Sequence, residues 1–316
     1  ACGYGSNGIL SDFLPDNQQS ECGDDFRRCV PMLNLRVAVV LLSIIPVGGT
    51  HEPAVAQENP GQHFSDGDFL QNGVTAHRGN SGQFPENTMA AFRSGIEVGA
   101  DWIELDIVRT KDGKLAVIHD LTTKRTGDVD LSVTESTWEE LRRVDVATDF
   151  RHRNQLTLAA CPLQTIPLLE DVLKLVMTQH RTRVSIQPKT DCVADAVALI
   201  EQLHARPWVG FNDGNLSLMA KVKQLSPRTP VYWDRPAGTD VADDIRTAQQ
   251  YGFAAIVIHH SGVTRDKVQQ IRAAGLEAGA WTINETHQMQ ALLKLGVQRI
   301  YTDDPARLLE QKKPSF

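Results

Sequence analysis

Between Val74 and Asp120 the chain gathers His77-Arg78-Gly79, Pro85-Glu86-Asn87-Thr88, Glu104-Leu105-Asp106 and His119-Asp120. Two histidines, an arginine and several carboxylates in so short a span are suited to processing a phosphate ester. Imidazoles ionise near neutral pH and can give or take a proton, and a guanidinium matches the shape of a phosphate. Glu104 and Asp106 lie two apart in Trp102 to Val108, a run that reads as a strand, so both side chains point to one face. Two carboxylates so placed repel each other unless a cation sits between them. The physical reading is a divalent metal held by oxygens, with His77 and His119 moving protons on either side of a bound phosphate. The plain alternative is a solvated strand face with both histidines satisfied in the core.

These four motifs, in this order and followed by Trp281-Thr282-Ile283-Asn284 and Thr302-Asp303-Asp304-Pro305, resemble those of the glycerophosphodiester phosphodiesterases, over Gly73 to Leu309. The resemblance implies hydrolysis of small glycerophosphodiesters to glycerol 3-phosphate and an alcohol, with a divalent cation, Ca2+ or Mg2+. It implies His77 and His119 as the acid-base pair. His77 is assigned as base and His119 as acid, with the exchanged order left open. Arg78 and Lys189 would neutralise the phosphate, and Trp281 would wall the glycerol moiety. Glu104 and Asp106 would hold the metal. At Val184 to Lys189 relatives carry Glu-x-Lys, whose glutamate is a third metal carboxylate, but this chain has Gln187 there. An amide supplies an oxygen without a charge, so Gln187 is expected as a weaker ligand and the site as a weaker metal binder. Glu86 either touches the metal shell, orients Arg78, or is a carboxylate at a helix start favoured by the dipole. Two rival readings are a phospholipase D-like lipid phosphodiesterase and a secreted, non-catalytic binding protein on the same scaffold.

Such residues need a frame that brings them together from distant parts of the chain. After Gly73, strand-like and helix-like runs alternate, and runs such as Ala255-Ile256-Val257-Ile258 are apolar throughout, as in a parallel sheet buried on both faces. The fold expected is an α/β (β/α)8 TIM barrel, whose active residues gather at the C-terminal strand ends. An open doubly wound sheet would need a Gly-rich phosphate loop that is missing in its expected context. Nine candidate strands are one too many. The short Lys111-Asp112-Gly113-Lys114 link makes Leu115 to His119 a hairpin partner and hence the extra strand. Pro85 to Gly99 reads as a helix capped by Asn87 or Thr88. Leu121 to Ile166 reads as a polar, irregular insertion with one helix, Ser136 to Val144, at the substrate mouth. His259 and His260 read as rim or structural residues.

The chain has 316 residues, 41% hydrophobic and 22% charged, with a net charge of −7, which fits a globular enzyme and argues against a nucleic-acid partner. Residues 1–31 read as disordered. Arg36 ahead of the eleven-residue apolar run Val37 to Val47, then Ala54-Val55-Ala56, has the layout of a signal peptide and is too short for a stable membrane span. The expected organisation is therefore a leader and signal over 1–56, a linker over 57–72 and a barrel domain over 73–316, secreted or periplasmic, with the number of subunits left open. Export would leave Cys161 and Cys192, either as a disulfide or as two separate buried thiols.

Overall fold

The structure, a computed structural model, describes residues 69–313, which lie within one compact unit. The disordered leader, the signal peptide and most of the linker expected from the sequence lie outside the described residues. In chain order the elements are β1 (Val74–Ala76), α1 (Met89–Val98), β2 (Trp102–Arg109), β3 (Leu115–Val117), α2 (Trp138–Leu141), α3 (Thr148–Asn154), α4 (Leu169–Val176) and β4 (Arg183–Pro188). They continue as α5 (Val193–Gln202), β5 (Val209–Asp213), α6 (Leu216–Leu225), β6 (Val231–Arg235), α7 (Val241–Tyr251), β7 (Ala255–His259) and α8 (Arg265–Ala273). The last four are β8 (Glu277–Trp281), α9 (Thr286–Leu295), β9 (Arg299–Thr302) and α10 (Pro305–Lys312).

Strands β1, β2 and β4–β9 pair in parallel, and β1 meets both β2 and β9, so the sheet closes into the (β/α)8 barrel expected. Strand β3 runs antiparallel to β2, with Ile107 opposite Val117, and stands outside the closed ring. It is the extra strand the Asp-Gly turn announces. Alternation along each strand divides the core in two. On β2, Ile103, Leu105 and Ile107 face the helices, whereas Trp102 packs in the lumen with Tyr232, Val257 and Tyr301. Glu104 and Asp106, in phase with Trp102, therefore face the lumen. Asp106 and Gln187 are opposite one another in the β2–β4 register, which carries Gln187 to the same level.

Three expectations need correction. Helix α1 begins at Met89 rather than Pro85, because Asn87 adopts a left-handed φ of 56° and its side chain bonds Asp106, leaving Thr88 to cap the helix through Ala91 N. The 121–166 insertion carries two short helices, α2 and α3, and is not simply polar. Its Val133, Leu141, Val144, Val146 and Ile166 form a small core with Val108, Ala116 and Ile118, which lie on the hairpin face opposite Ile107 and Val117. Finally, residues 69–72 of the expected linker belong to the barrel. Phe69 is buried edge-on against Trp208 at 6.0 Å, Leu70 N donates to Arg181 O at 2.8 Å, and Asn72 Nδ2 donates to Gly99 O at 2.8 Å.

Of the two readings left open for Cys161 and Cys192, the structure matches the one with two separate buried thiols. Both thiols are free and buried, in separate clusters. Cys161 packs with Ala147 and Phe150 in the insertion, while Cys192 precedes α5 in the main core. Among the described residues no helix is long and apolar enough to cross a membrane.

Candidate active site

The C-terminal strand ends surround an open cavity of about 770 Å³. Of the residues singled out from the sequence, His77, Arg78, Glu104, His119, Gln187, Lys189 and Trp281 line it. Asp106 lies just beneath, covered by its own partners, and Glu86 stands behind Arg78.

The first strand turns sharply into this site. Arg78 has φ 56° and Gly79 φ 82°, and a Cβ on Gly79 would come within 2.7 Å of Ala91 in α1, so the turn requires glycine there. The turn aims the Arg78 backbone N–H at Glu104 Oε2, 2.9 Å away, and His77 into the cavity. His77 Nδ1 lies 2.8 Å from Asp303 Oδ1, at the end of β9. With Asp303 ionised, Nδ1 carries the proton and Nε2 is the nitrogen left for a ligand. Asp303 in turn accepts from Ser81 Oγ at 3.0 Å and Asn284 Nδ2 at 2.6 Å. Burial opposes ionisation of Asp303, but these bonds and the pairing with His77 outweigh it and hold its pKa at about 2. Burial also opposes charge on His77, yet the Asp303 bond and the charge of Glu104 win, and its pKa is raised.

His119 follows β3 and is oriented by its neighbour, with Nδ1 2.5 Å from Asp120 Oδ1. Here burial and the nearby cations Arg78 and Lys189 prevail over Asp106 and Asp120, and the pKa is lowered. The two imidazoles thus share one cavity but differ in proton affinity.

Glu104 and Asp106 are both buried. Asp106 accepts from Asn87 Nδ2 at 2.8 Å and pairs with Lys189 Nζ at 2.9 Å and Arg78 Nε at 3.5 Å. Burial raises the pKa of Asp106, but Lys189 and Arg78 bring it below its usual value. Glu104 is pushed up to about 7, by burial first and by the charge of Asp106 second. Gln187 accepts from Lys189 Nζ at 2.6 Å and directs its Nε2 toward Asp234 Oδ2 at 3.4 Å. Glu86 accepts from Arg78 Nη1 at 2.9 Å. It lies before the first turn of α1, so of its three readings the orienting one matches the geometry. Trp281 meets His259 edge-on at 5.0 Å, and His259, read as a rim residue, lines the cavity.

Sequence reasoning missed three residues. Asp303 sits in a motif singled out without a role, since a partnership across 226 positions cannot be read before the barrel closes. Asp234 is a half-buried residue on the cavity wall, its carboxyl pushed up to about 8 by desolvation despite the Asn212 hydrogen bond at 3.2 Å. Arg125 lies in the insertion and pairs with Glu86 and Asp120. Among the described residues no group of three or more His, Cys, Asp or Glu side chains is arranged to hold a metal ion.

A closed barrel that gathers two carboxylate-oriented histidines, buried acidic groups and two cations at its C-terminal mouth defines a barrel enzyme equipped for phosphate esters. Residues 77–307 match the Glycerophosphoryl diester phosphodiesterase family, and the chain belongs to it. A glycerophosphodiester phosphodiesterase of Bacillus altitudinis is 34% identical over 246 residues, covering 75% of this chain and 96% of that protein. One from Caldanaerobacter subterraneus is 28% identical over 236 residues, covering 75% and 96%. Among solved structures, an Oleispira antarctica phosphodiesterase in complex with the product sn-glycerol-3-phosphate superposes with a TM-score of 0.65 at 24% identity, covering 75% of this chain and 95% of that one.

Proposed function

We propose that the protein hydrolyses glycerophosphodiesters to glycerol 3-phosphate and an alcohol, using His77 and His119 for proton transfer and a divalent cation at Glu104 and Asp106. The observation that carries this reading is the pair of histidines, each fixed by its own carboxylate, facing one cavity that Arg78 and Lys189 also line.

The donor set fits a hard cation. Glu104 is a buried carboxyl held near a pKa of about 7 partly by the charge of Asp106, a repulsion that a cation between them would relieve. Two carboxylates with the Gln187 amide oxygen make an incomplete shell. Magnesium is commonly held so, by one or two carboxylates with waters and substrate phosphate, and calcium accepts amide oxygens readily. When bound, the cation would act as a Lewis acid on the phosphate and offset its growing charge.

The chain's own groups do the rest. Arg78 and Lys189 bind and orient the anionic phosphate. The raised pKa of His77 favours its protonated form and the lowered pKa of His119 its neutral form. On that ground His119 is the base for the attacking hydroxyl and His77 the acid for the leaving alcohol, the exchange of the order first assigned from sequence. Asp303 fixes the tautomer of His77, and Asp120 does the same for His119. Trp281 walls the cavity against the glycerol moiety.

Assay of glycerophosphocholine with and without EDTA tests the reading. Release of glycerol 3-phosphate, lost with EDTA and restored by Mg2+ or Ca2+, is the result expected. Turnover unaffected by complete chelation would remove the cation, and binding without turnover would remove catalysis. The same proposal places the protein outside the cytoplasm, on the signal-like layout of residues 32–56. N-terminal sequencing of exported protein should begin near Gln57, and exported protein that retains residues 32–56 would reject that placement.

A further inference from the structure

Arg125 does not line the catalytic cavity, and its side chain is 41% exposed. Its guanidinium nevertheless joins two carboxylates that serve different parts of the site. Nε donates to Asp120 Oδ2 at 2.7 Å, while Nη1 and Nη2 donate to the two oxygens of Glu86 at 2.8 and 2.7 Å. The other oxygen of Asp120 orients His119, and Glu86 Oε1 also holds Arg78 Nη1. A continuous chain of hydrogen-bonded groups thus runs His119, Asp120, Arg125, Glu86, Arg78. It links the histidine after β3 to the arginine after β1.

The planar fork explains why arginine suits this place. It grips Glu86 bidentately and still has Nε for Asp120, an arrangement that a lysine ammonium cannot reproduce. A single ion pair with this exposure would contribute little to stability. A fork shared by two carboxylates instead fixes their relative position, and each fixes a group that faces the substrate. The loop carrying Arg125 is itself held down. Thr123 N bonds Leu131 O at 3.0 Å, and Gly127 lies so close to Val144 in the insertion core that an added Cβ would be 2.6 Å from its Cγ1.

We propose that Arg125 is a positioning residue, which locks Asp120 and Glu86 in one geometry so that His119 and Arg78 meet the bound phosphodiester together. The inference rests on the catalytic reading of His119 and Arg78 given above. It makes the insertion a working part of the site rather than a surface elaboration.

The test uses the full chain with Arg125→Ala and Arg125→Lys, and Arg125→Ala added to Glu86→Gln/Asp120→Asn. Arg125→Ala should lower kcat on glycerophosphocholine about ten- to a hundredfold, the scale typical of a residue behind the groups that touch the ligand. Its melting temperature should stay close to that of the parent. Guanidinium ion at millimolar concentration should restore part of the lost rate in Arg125→Ala and change nothing in the parent. Arg125→Lys should recover only part, because the fork is lost. On the Glu86→Gln/Asp120→Asn background, Arg125→Ala should add little, since its partners are already gone. Full turnover by Arg125→Ala would overturn the proposal. So would a multiplicative loss on that background, or a lost rate that tracks a falling melting temperature and resists guanidinium. If the parent protein turns over no glycerophosphodiester, the functional reading fails first. The positioning claim is then decided by the ¹⁵N-resolved ring signals of His119: a shift or broadening in Arg125→Ala supports it, and unchanged signals reject it.

Discussion

A carboxylate bonded to one nitrogen of an imidazole decides what the other nitrogen can do. Asp303 does this for His77 and Asp120 for His119, yet burial and neighbouring charges leave the first histidine raised and the second lowered in pKa. Replacing either with Ala should reduce kcat on glycerophosphocholine about a hundredfold or more. A substrate with a nitrophenolate leaving group separates their roles, because such a leaving group needs no acid. His77→Ala should recover most of its rate on that ester and His119→Ala should not; recovery by His119→Ala alone would restore the opposite assignment. Gln187 stands opposite Asp106 in the sheet, with its oxygen toward Lys189. Gln187→Glu should tighten Mg2+ or Ca2+ binding about tenfold, measured by titrating the metal-free protein. Equal affinity in parent and variant would take position 187 out of the metal shell. At this scale the sequence was informative where residues cluster locally, as in His77-Arg78-Gly79 and Glu104-Leu105-Asp106. It was silent on Asp303, Asp234 and Arg125. Their importance arises from partners that only chain closure supplies, and a carboxylate in a strand looks the same whether buried or solvated.

The elements that carry these residues were legible in their order and less so in their ends. Alternation gave eight ring strands and identified β3 as the hairpin outside them, because the Asp-Gly link is too short for a parallel crossover. The start of α1 was misplaced by the pull of Asp106 on Asn87, a tertiary contact acting on a local segment. The insertion was underrated for a similar reason. Its apolar residues are too sparse for periodicity to register, yet Leu141 is fully buried among Val133, Val144, Val146 and Ile166. Leu141→Ala should destabilise the protein by about 2–5 kcal/mol in denaturant unfolding, through the cavity it leaves. A loss below about 0.5 kcal/mol would mean that this small core does not share in the cooperative fold.

At the scale of the molecule, the acidic groups gathered at the barrel mouth tie stability to pH. The folded pKa of Glu104, about 7, lies above its ordinary 4.5, and that of Asp234, about 8, above its ordinary 3.8. Groups raised in this way contribute stability that is complete below their ordinary values and is lost as pH rises through the folded ones. Cation-free protein should therefore lose this contribution between about pH 4 and pH 8. A cation at Glu104 must displace a proton at pH 5 but meets a largely ionised carboxylate at pH 8. Millimolar Mg2+ or Ca2+ should accordingly raise the melting temperature more at pH 8 than at pH 5. Equal shifts at both would place any bound cation away from Glu104.

The position of β3 outside the closed ring has a consequence for how this catalyst can be taken apart. His77 grows from the ring itself, whereas His119, Asp120 and Arg125 hang from a hairpin and its insertion, which leave the ring after β2 and return to it through α4. The two histidines are therefore carried on different pieces of the chain. Exchange of the segment between β2 and α4 with that of a relative would replace His119 together with Asp120 and Arg125, while His77, Asp303 and the ring strands would stay in place. Such an exchange would reach His119 directly and Arg78 through the Arg125–Glu86 pair.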